Sequence, residues 1–176
     1  MKYLSLLVVF FSTMIFSKAQ SYVGTSDSAI AAHAKQILEG VVTPTDDKLT
    51  GCCLDSLFSA NLTTREYYSK VFGVIVSKSD GALSELVGIY CKNYLDSLPK
   101  EYIKHYKSQS PSNKKLHDMF IASEFYIEGA DIKEAYISLS KFFFDVKQRD
   151  GIYTKEYKEL EEIQLAVVES LKSMYN

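Results

Sequence analysis

Three cysteines, Cys52, Cys53 and Cys91, carry the most context-dependent chemistry in this chain. A thiol can close a disulfide in an oxidising compartment, or pack as a small hydrophobe with a weak S–H donor. An odd count leaves at least one thiol unpaired within a monomer. The adjacent Cys52 and Cys53 would strain the peptide between them if they joined each other. Cys53 shares a helical face with Leu49 and Leu57, and Cys91 lies on an apolar stripe with Leu83, Val87, Tyr94 and Leu98. The expected bridge is therefore Cys53 to Cys91, with Cys52 left over beside Asp55, Ser56 and Ser59 on a polar side. Without oxidation the same two thiols are core side chains. Cys-Cys lacks the two intervening residues of the C-x-x-C redox motif, so no disulfide-exchange chemistry is expected.

The other reactive types form no set. His33, His105 and His117 are the only histidines, and no two have the spacing of metal ligands on one helix. Asp118 follows His117 directly and so points about 100° away around the same helix. Serine occurs without the G-x-S-x-G turn that exposes a nucleophile. The eight glycines are scattered as caps and breaks and build no phosphate loop. The carboxylate pairs Asp46-Asp47 and Glu161-Glu162 read as a solvated loop and a helix surface. No catalytic, cofactor-binding or metal residues are expected, and no cofactor.

Aromatic residues are the remaining signal: thirteen tyrosines, ten phenylalanines and no tryptophan. Tyr90 and Tyr94, then Tyr102 and Tyr106, repeat at i, i+4 on consecutive helices. Such pairs pack with the ring inward and the hydroxyl at the rim, or they form a contact patch, since tyrosine is enriched where proteins meet.

The elements that must position these residues begin with a leader. Lys2 precedes a thirteen-residue, mainly apolar run from Leu4 to Phe16, and Ser17-Lys18-Ala19 puts small residues at −3 and −1 of a cut before Gln20. That pattern is a cleaved signal peptide over residues 1–19, and the run falls short of the roughly 20 apolar residues that span a bilayer. Residues 20–26 read as a polar tail and residues 27–176 as one helical domain. Within it the periodicity predicts seven or eight helices and no sheet. A first helix is capped by Asp27 and runs to about Gly40, and a second runs from about Lys48 to Ala60. Thr63-Thr64-Arg65-Glu66 reads as a capping box opening a third, and Pro99 opens a short fifth. The sixth is expected over about Lys114 to Glu128 with Gly129 as its left-handed cap, and the seventh from Asp131 to about Lys147. The last starts at Thr154, with Tyr157, Leu160, Val167, Leu171 and Met174 on one face. Helices three, six and seven are widest in apolar coverage; in the seventh, Phe142-Phe143-Phe144 covers more than half the circumference. These three are the expected centre of a compact all-α bundle.

Removing the leader leaves 157 residues, which is one domain with a sizeable core. Without Lys2 and Lys18 the charge is 18 basic against 22 acidic groups. That balance argues against a nucleic-acid partner and against tethering to anionic lipid. The features fit an exported, periplasmic or extracellular, non-enzymatic domain that binds another protein, with no stable membrane insertion after cleavage. One concrete form is an immunity protein that neutralises a secreted antibacterial effector. The rivals are a carrier enclosing an apolar ligand among Phe72, Phe120, Phe125 and Phe142 to Phe144, and an enzyme of unforeshadowed class.

Overall fold

A computed structural model describes residues 27–149 and 154–176. The leader expected over residues 1–19 and the tail over 20–26 lie outside the described residues. Among those described there are eight α-helices, one short 3-10 turn and no strand. None of the helices is long and apolar enough to cross a membrane.

Local chemistry sets the helix ends. Helix α1 (Asp27–Leu38) closes at Gly40, whose φ of 70° suits the position after a helix. There Val41 N–H bonds Gln36 O at 2.9 Å and Gly40 N–H bonds Ile37 O at 3.1 Å, the paired bonds of a Schellman motif. Helix α2 (Lys48–Asp55) is capped by Asp47, which accepts from the N–H groups of Leu49 and Thr50 at 2.8 and 2.9 Å. It tightens into the 3-10 turn Ser56–Phe58 and does not continue to Ala60. Helix α3 (Leu62–Lys78) starts earlier than its expected capping box. Asn61 is the cap, its Oδ1 accepting from Thr64 N–H at 3.0 Å, so Thr63 already lies inside the first turn. Helices α4 (Gly81–Ser97) and α5 (Pro99–Ser108) follow with one residue between them. Helix α6 (Pro111–Ser123) is capped by Ser110, which displaces the expected start at Lys114. Its end also comes early, so Gly129, with φ 76°, belongs to the following loop. Asp131 accepts from Lys133 N–H at 2.9 Å at the start of α7 (Ile132–Arg149), and α8 (Thr154–Met174) completes the chain.

Helix α6 is the axis of the packing, lying against α3, α4, α5 and α8, while α3 gathers α1, α2 and the 3-10 turn on its other side. Helix α7 is not central, contrary to the apolar-width argument; it meets the body mainly along α8. The Phe142–Phe144 run explains why. Phe143 is fully buried beside Leu139 and Val146, Phe142 is half-buried and Phe144 is exposed, so only one stripe of α7 faces inward. The expected place of α7 is taken by α8, which buries Leu160, Ile163, Val167 and Leu171. Tyr157 is exposed and lies under the Lys147 ammonium, 4.6 Å from the ring centre.

Helices α3 and α5 run side by side in the same direction, with α4 returning between them in sequence. Their rungs keep a nearly constant offset: Arg65 to Glu101, Glu66 to Lys104, Ser69 to His105, and Gly73 against Gln109. A Cβ at Gly73 would stand 2.9 Å from the Gln109 side-chain oxygen and 3.4 Å from the His105 ring, so the missing side chain sets this close approach.

Candidate functional site

The α3–α5 pair encloses a cleft of about 490 Å³, with Glu66, Ser69 and Lys70 on one wall and Glu101, Lys104 and His105 on the other. Tyr94, from α4, reaches the floor and is 1% exposed. Burial pushes its phenol up to about 12, so it is a neutral hydroxyl at neutral pH. Two ion pairs cross the cleft at one end. Arg65 holds both Glu101 oxygens through Nε and Nη2, at 2.8 to 3.2 Å, and Lys104 meets Glu66 at 3.1 Å. The Arg65–Glu101 pair is the better shielded, with bidentate geometry that lysine cannot reproduce.

Beneath these pairs the polar groups continue into the core. Ser69 Oγ lies 3.0 Å from His105 Nδ1. On the far side of that ring, His105 Nε2 lies 3.4 Å from His117 Nε2, and His117 Nδ1 lies 3.1 Å from the Tyr102 hydroxyl and 3.5 Å from Cys91 Sγ. Alongside, Tyr106 donates to both Asp118 carboxylate oxygens at 2.9 and 3.1 Å. The rings of Phe72, Tyr94 and Tyr102 pack edge-on or tilted against the two imidazoles. His105, His117 and Asp118 are all buried, and desolvation dominates each titration. It lowers His105 to about 4 and holds His117 well below the usual imidazole value, with the neighbouring His105 adding to the effect, so both imidazoles are neutral near pH 7. It raises Asp118 to about 6, against the opposing Tyr106 hydrogen bond and the Lys114 charge.

The sequence offers Cys91, Tyr94, Tyr102 and Tyr106 of this cluster in other roles, as a disulfide partner and a contact patch, and does not point to Ser69, His105, His117 or Asp118, because residue spacing compares each histidine only with neighbours on its own helix. His105 and His117 stand on α5 and α6, and the tight connection at Gln109–Ser110 folds one back onto the other. The available signal was Tyr102, His105 and Tyr106 at i, i+3, i+4, followed by a break and then His117-Asp118 at similar reach beyond it.

The expected contact patch is corrected. Tyr94 and Tyr102 are buried core residues, and Tyr90 and Tyr106 are half-buried with hydroxyls bonded to Asp55 and Asp118. Their i, i+4 spacing marks the inward faces of α4 and α5, so the four rings offer no common surface. The Cys53–Cys91 bridge is not formed either. All three cysteines are buried free thiols. Cys53 Sγ points to Ile30 O at 3.8 Å in the α1–α2 contact, whereas Cys91 faces His117. Both lie on inner faces, as their helical phase requires, but toward different neighbours. Burial raises both thiols, Cys53 to about 12 and Cys91 well above its usual value, which leaves little thiolate for redox or nucleophilic chemistry.

Ser69, His105 and His117 superficially match a hydroxyl, a base and a group that orients the base. Two features weaken that role. A histidine held near 4 accepts a proton poorly at neutral pH. Ser69 also sits inside α3, where backbone N–H groups are committed to i−4 carbonyls and cannot stabilise a developing oxyanion. Among the described residues, no group of three or more His, Cys, Asp or Glu side chains is placed to hold a metal ion. Comparison of the chain with protein-family models, curated proteins and solved structures gave no match.

Proposed function

We propose that the chain is an exported, non-enzymatic domain that binds another protein, of the kind represented by a periplasmic immunity protein. The observation that carries this reading is the outer face of α7. Ile137 and Phe144 lie seven residues apart on one stripe and are 69% and 59% exposed. Isolated exposed apolar residues are ordinary, but two of this size on one helical stripe form the nucleus of a contact that partner burial would stabilise. The carrier alternative is weakened because Phe72, Phe120 and Phe143 are packed into one continuous core.

The test is protection. The chain with its leader is produced in cells exposed to the antibacterial effector of the strain that carries it. Protection is expected with the unaltered chain and lost with Ile137→Asp/Phe144→Asp, while circular dichroism of the purified variant stays helical. No protection by the unaltered chain defeats the immunity reading, and full protection by the double variant defeats α7 as the contact face. Intact-mass analysis of the exported product should show Gln20 as the first residue; full-length chain in the membrane fraction would overturn export by a cleaved leader.

A further inference from the structure

The buried polar chain beneath the α3–α5 cleft has a direction, which its hydrogen bonds assign. The Tyr102 hydroxyl is fully buried, and among the described residues its hydrogen bond is to His117 Nδ1, at 3.1 Å. A buried O–H without an acceptor is costly, so Tyr102 donates and His117 Nδ1 accepts. The proton of neutral His117 is therefore on Nε2, which donates to His105 Nε2 at 3.4 Å. His105 then carries its own proton on Nδ1, toward the cleft, and donates it to Ser69 Oγ at 3.0 Å. Gln109 Nε2, 3.4 Å from the same nitrogen, has nearer acceptors in His105 O and Ser108 Oγ, both at 3.2 Å. The opposite assignment would leave the Tyr102 proton with no acceptor.

Every link runs outward from the core, so the chain ends in a donor. Ser69 has accepted from His105, and its own O–H remains to be given, to the Tyr94 oxygen beside it or to a group in the cleft. Hydrogen bonds in series polarise one another, which strengthens that last donor. The walls add to it. Lys70 follows Ser69 on α3 and Lys104 precedes His105 on α5, so two ammonium groups flank the hydroxyl from opposite walls. Glu66 is held by Lys104, and Glu101 by Arg65, which does not itself line the cleft. Lys70 has no counter-charge among the described residues, so one positive charge is left over. The volume of about 490 Å³ lies in the range of small-molecule sites, roughly 300–1,000 Å³.

We propose that the α3–α5 cleft binds a small molecule bearing a carboxylate, which accepts from the Ser69 hydroxyl and pairs with Lys70 and Lys104. Charged acceptors make the stronger hydrogen bonds with such donors. A surplus of one positive charge matches a monoanion better than a doubly charged phosphate. The site stands on α3, α4 and α5, and it is independent of the α7 face and of any role in binding a partner.

The probe is 4-fluorobenzoate, followed by its ¹⁹F resonance at pH 7.5 and constant ionic strength, with 4-fluorobenzamide as the uncharged counterpart. Saturable binding is expected with a dissociation constant on the order of 1–10 mM, the scale for about ten non-hydrogen atoms. Ser69→Ala and Lys70→Gln should each weaken it about tenfold, as loss of a bond to a charged group does. Phe144→Asp should leave it unchanged. Long-range ¹H–¹⁵N spectra should place the His105 proton on Nδ1 and the His117 proton on Nε2, with the His105 resonances moving as 4-fluorobenzoate is added. Absence of saturation at about 50 mM, equal binding of the amide, tighter binding of inorganic phosphate, or full binding by either cleft variant overturns the site. A His105 proton on Nε2 overturns the direction on which it rests. Lys70 is exposed, so Lys70→Gln and the spectra of the unaltered protein decide the matter even if Ser69→Ala fails to fold.

Discussion

Asp118→Asn should gain stability relative to the unaltered protein as pH rises from acid to alkaline. Asp118 is 6% exposed, and burial raises its carboxyl from 3.8 to about 6. The folded protein therefore holds this proton to a higher pH than the unfolded chain, so the group's contribution to stability is lost as pH rises from about 4 to about 6. A displacement from 3.8 to about 6 corresponds to about 3 kcal/mol, at 1.36 kcal/mol per pKa unit. Asparagine keeps an oxygen to accept from Tyr106 and removes the buried charge. Any single-pH comparison also contains the hydrogen bonding of the new amide, worth about 1–3 kcal/mol. The change with pH does not, so it is the quantity to measure. Urea unfolding of both proteins at pH 8 and pH 4 should show their stability difference moving by about 3 kcal/mol in favour of the variant at pH 8. A difference that stays constant, or moves the other way, would mean that the Tyr106 bond to the ionised carboxylate outweighs its desolvation.

His105 works in the opposite sense. Its imidazole is lowered from 6.5 to about 4, so its contribution is lost as pH falls through that window, and His105→Gln should flatten the acid limb of the stability–pH curve measured by urea midpoints. Gly88→Ala places a methyl 3.2 Å from Phe120 O and 2.7 Å from Glu124 Oε1, and should lower the thermal midpoint, by about 1–3 kcal/mol in stability, despite alanine's better helix propensity. Phe143→Ala should destabilise by about 3–5 kcal/mol in urea, whereas Phe144→Ser should stay within about 0.5 kcal/mol; equal losses would show that α7 is rotated.

Helix existence was legible because it rests on local terms: the apolar stripes of α4 and α8, the Pro99 start, and Gly40 where the chain turns left-handed. Boundaries were less so, since several polar residues could cap. Asn61 and Thr63 both offer a side-chain oxygen, and only packing decides that Leu62 begins α3. Apolar width also misled on architecture. Three consecutive phenylalanines suggested a buried α7, but how many faces of a helix are covered depends on its neighbours, and α7 has little beyond α8. The His105–His117 pair was hidden for a related reason. It depends on the angle at which α5 and α6 fold back, a long-range geometric quantity that residue spacing within one helix does not carry.

The common direction of α3 and α5 has an electrical consequence. Neighbouring helices that point the same way place their positive N-terminal half-charges together and their negative C-terminal half-charges together, where antiparallel neighbours would cancel. Glu101 in the first turn of α5, with Glu66 near the start of α3, answers the positive end, and Lys107 and Lys78 stand in the two last turns at the negative end. The cleft walls carry two lysines and two glutamates, so their formal charge is zero. The helix half-charges nevertheless sit in the end turns, so the two ends of the trench differ in polarity, the end beside Leu62 and Pro99 being the one that favours an anionic group.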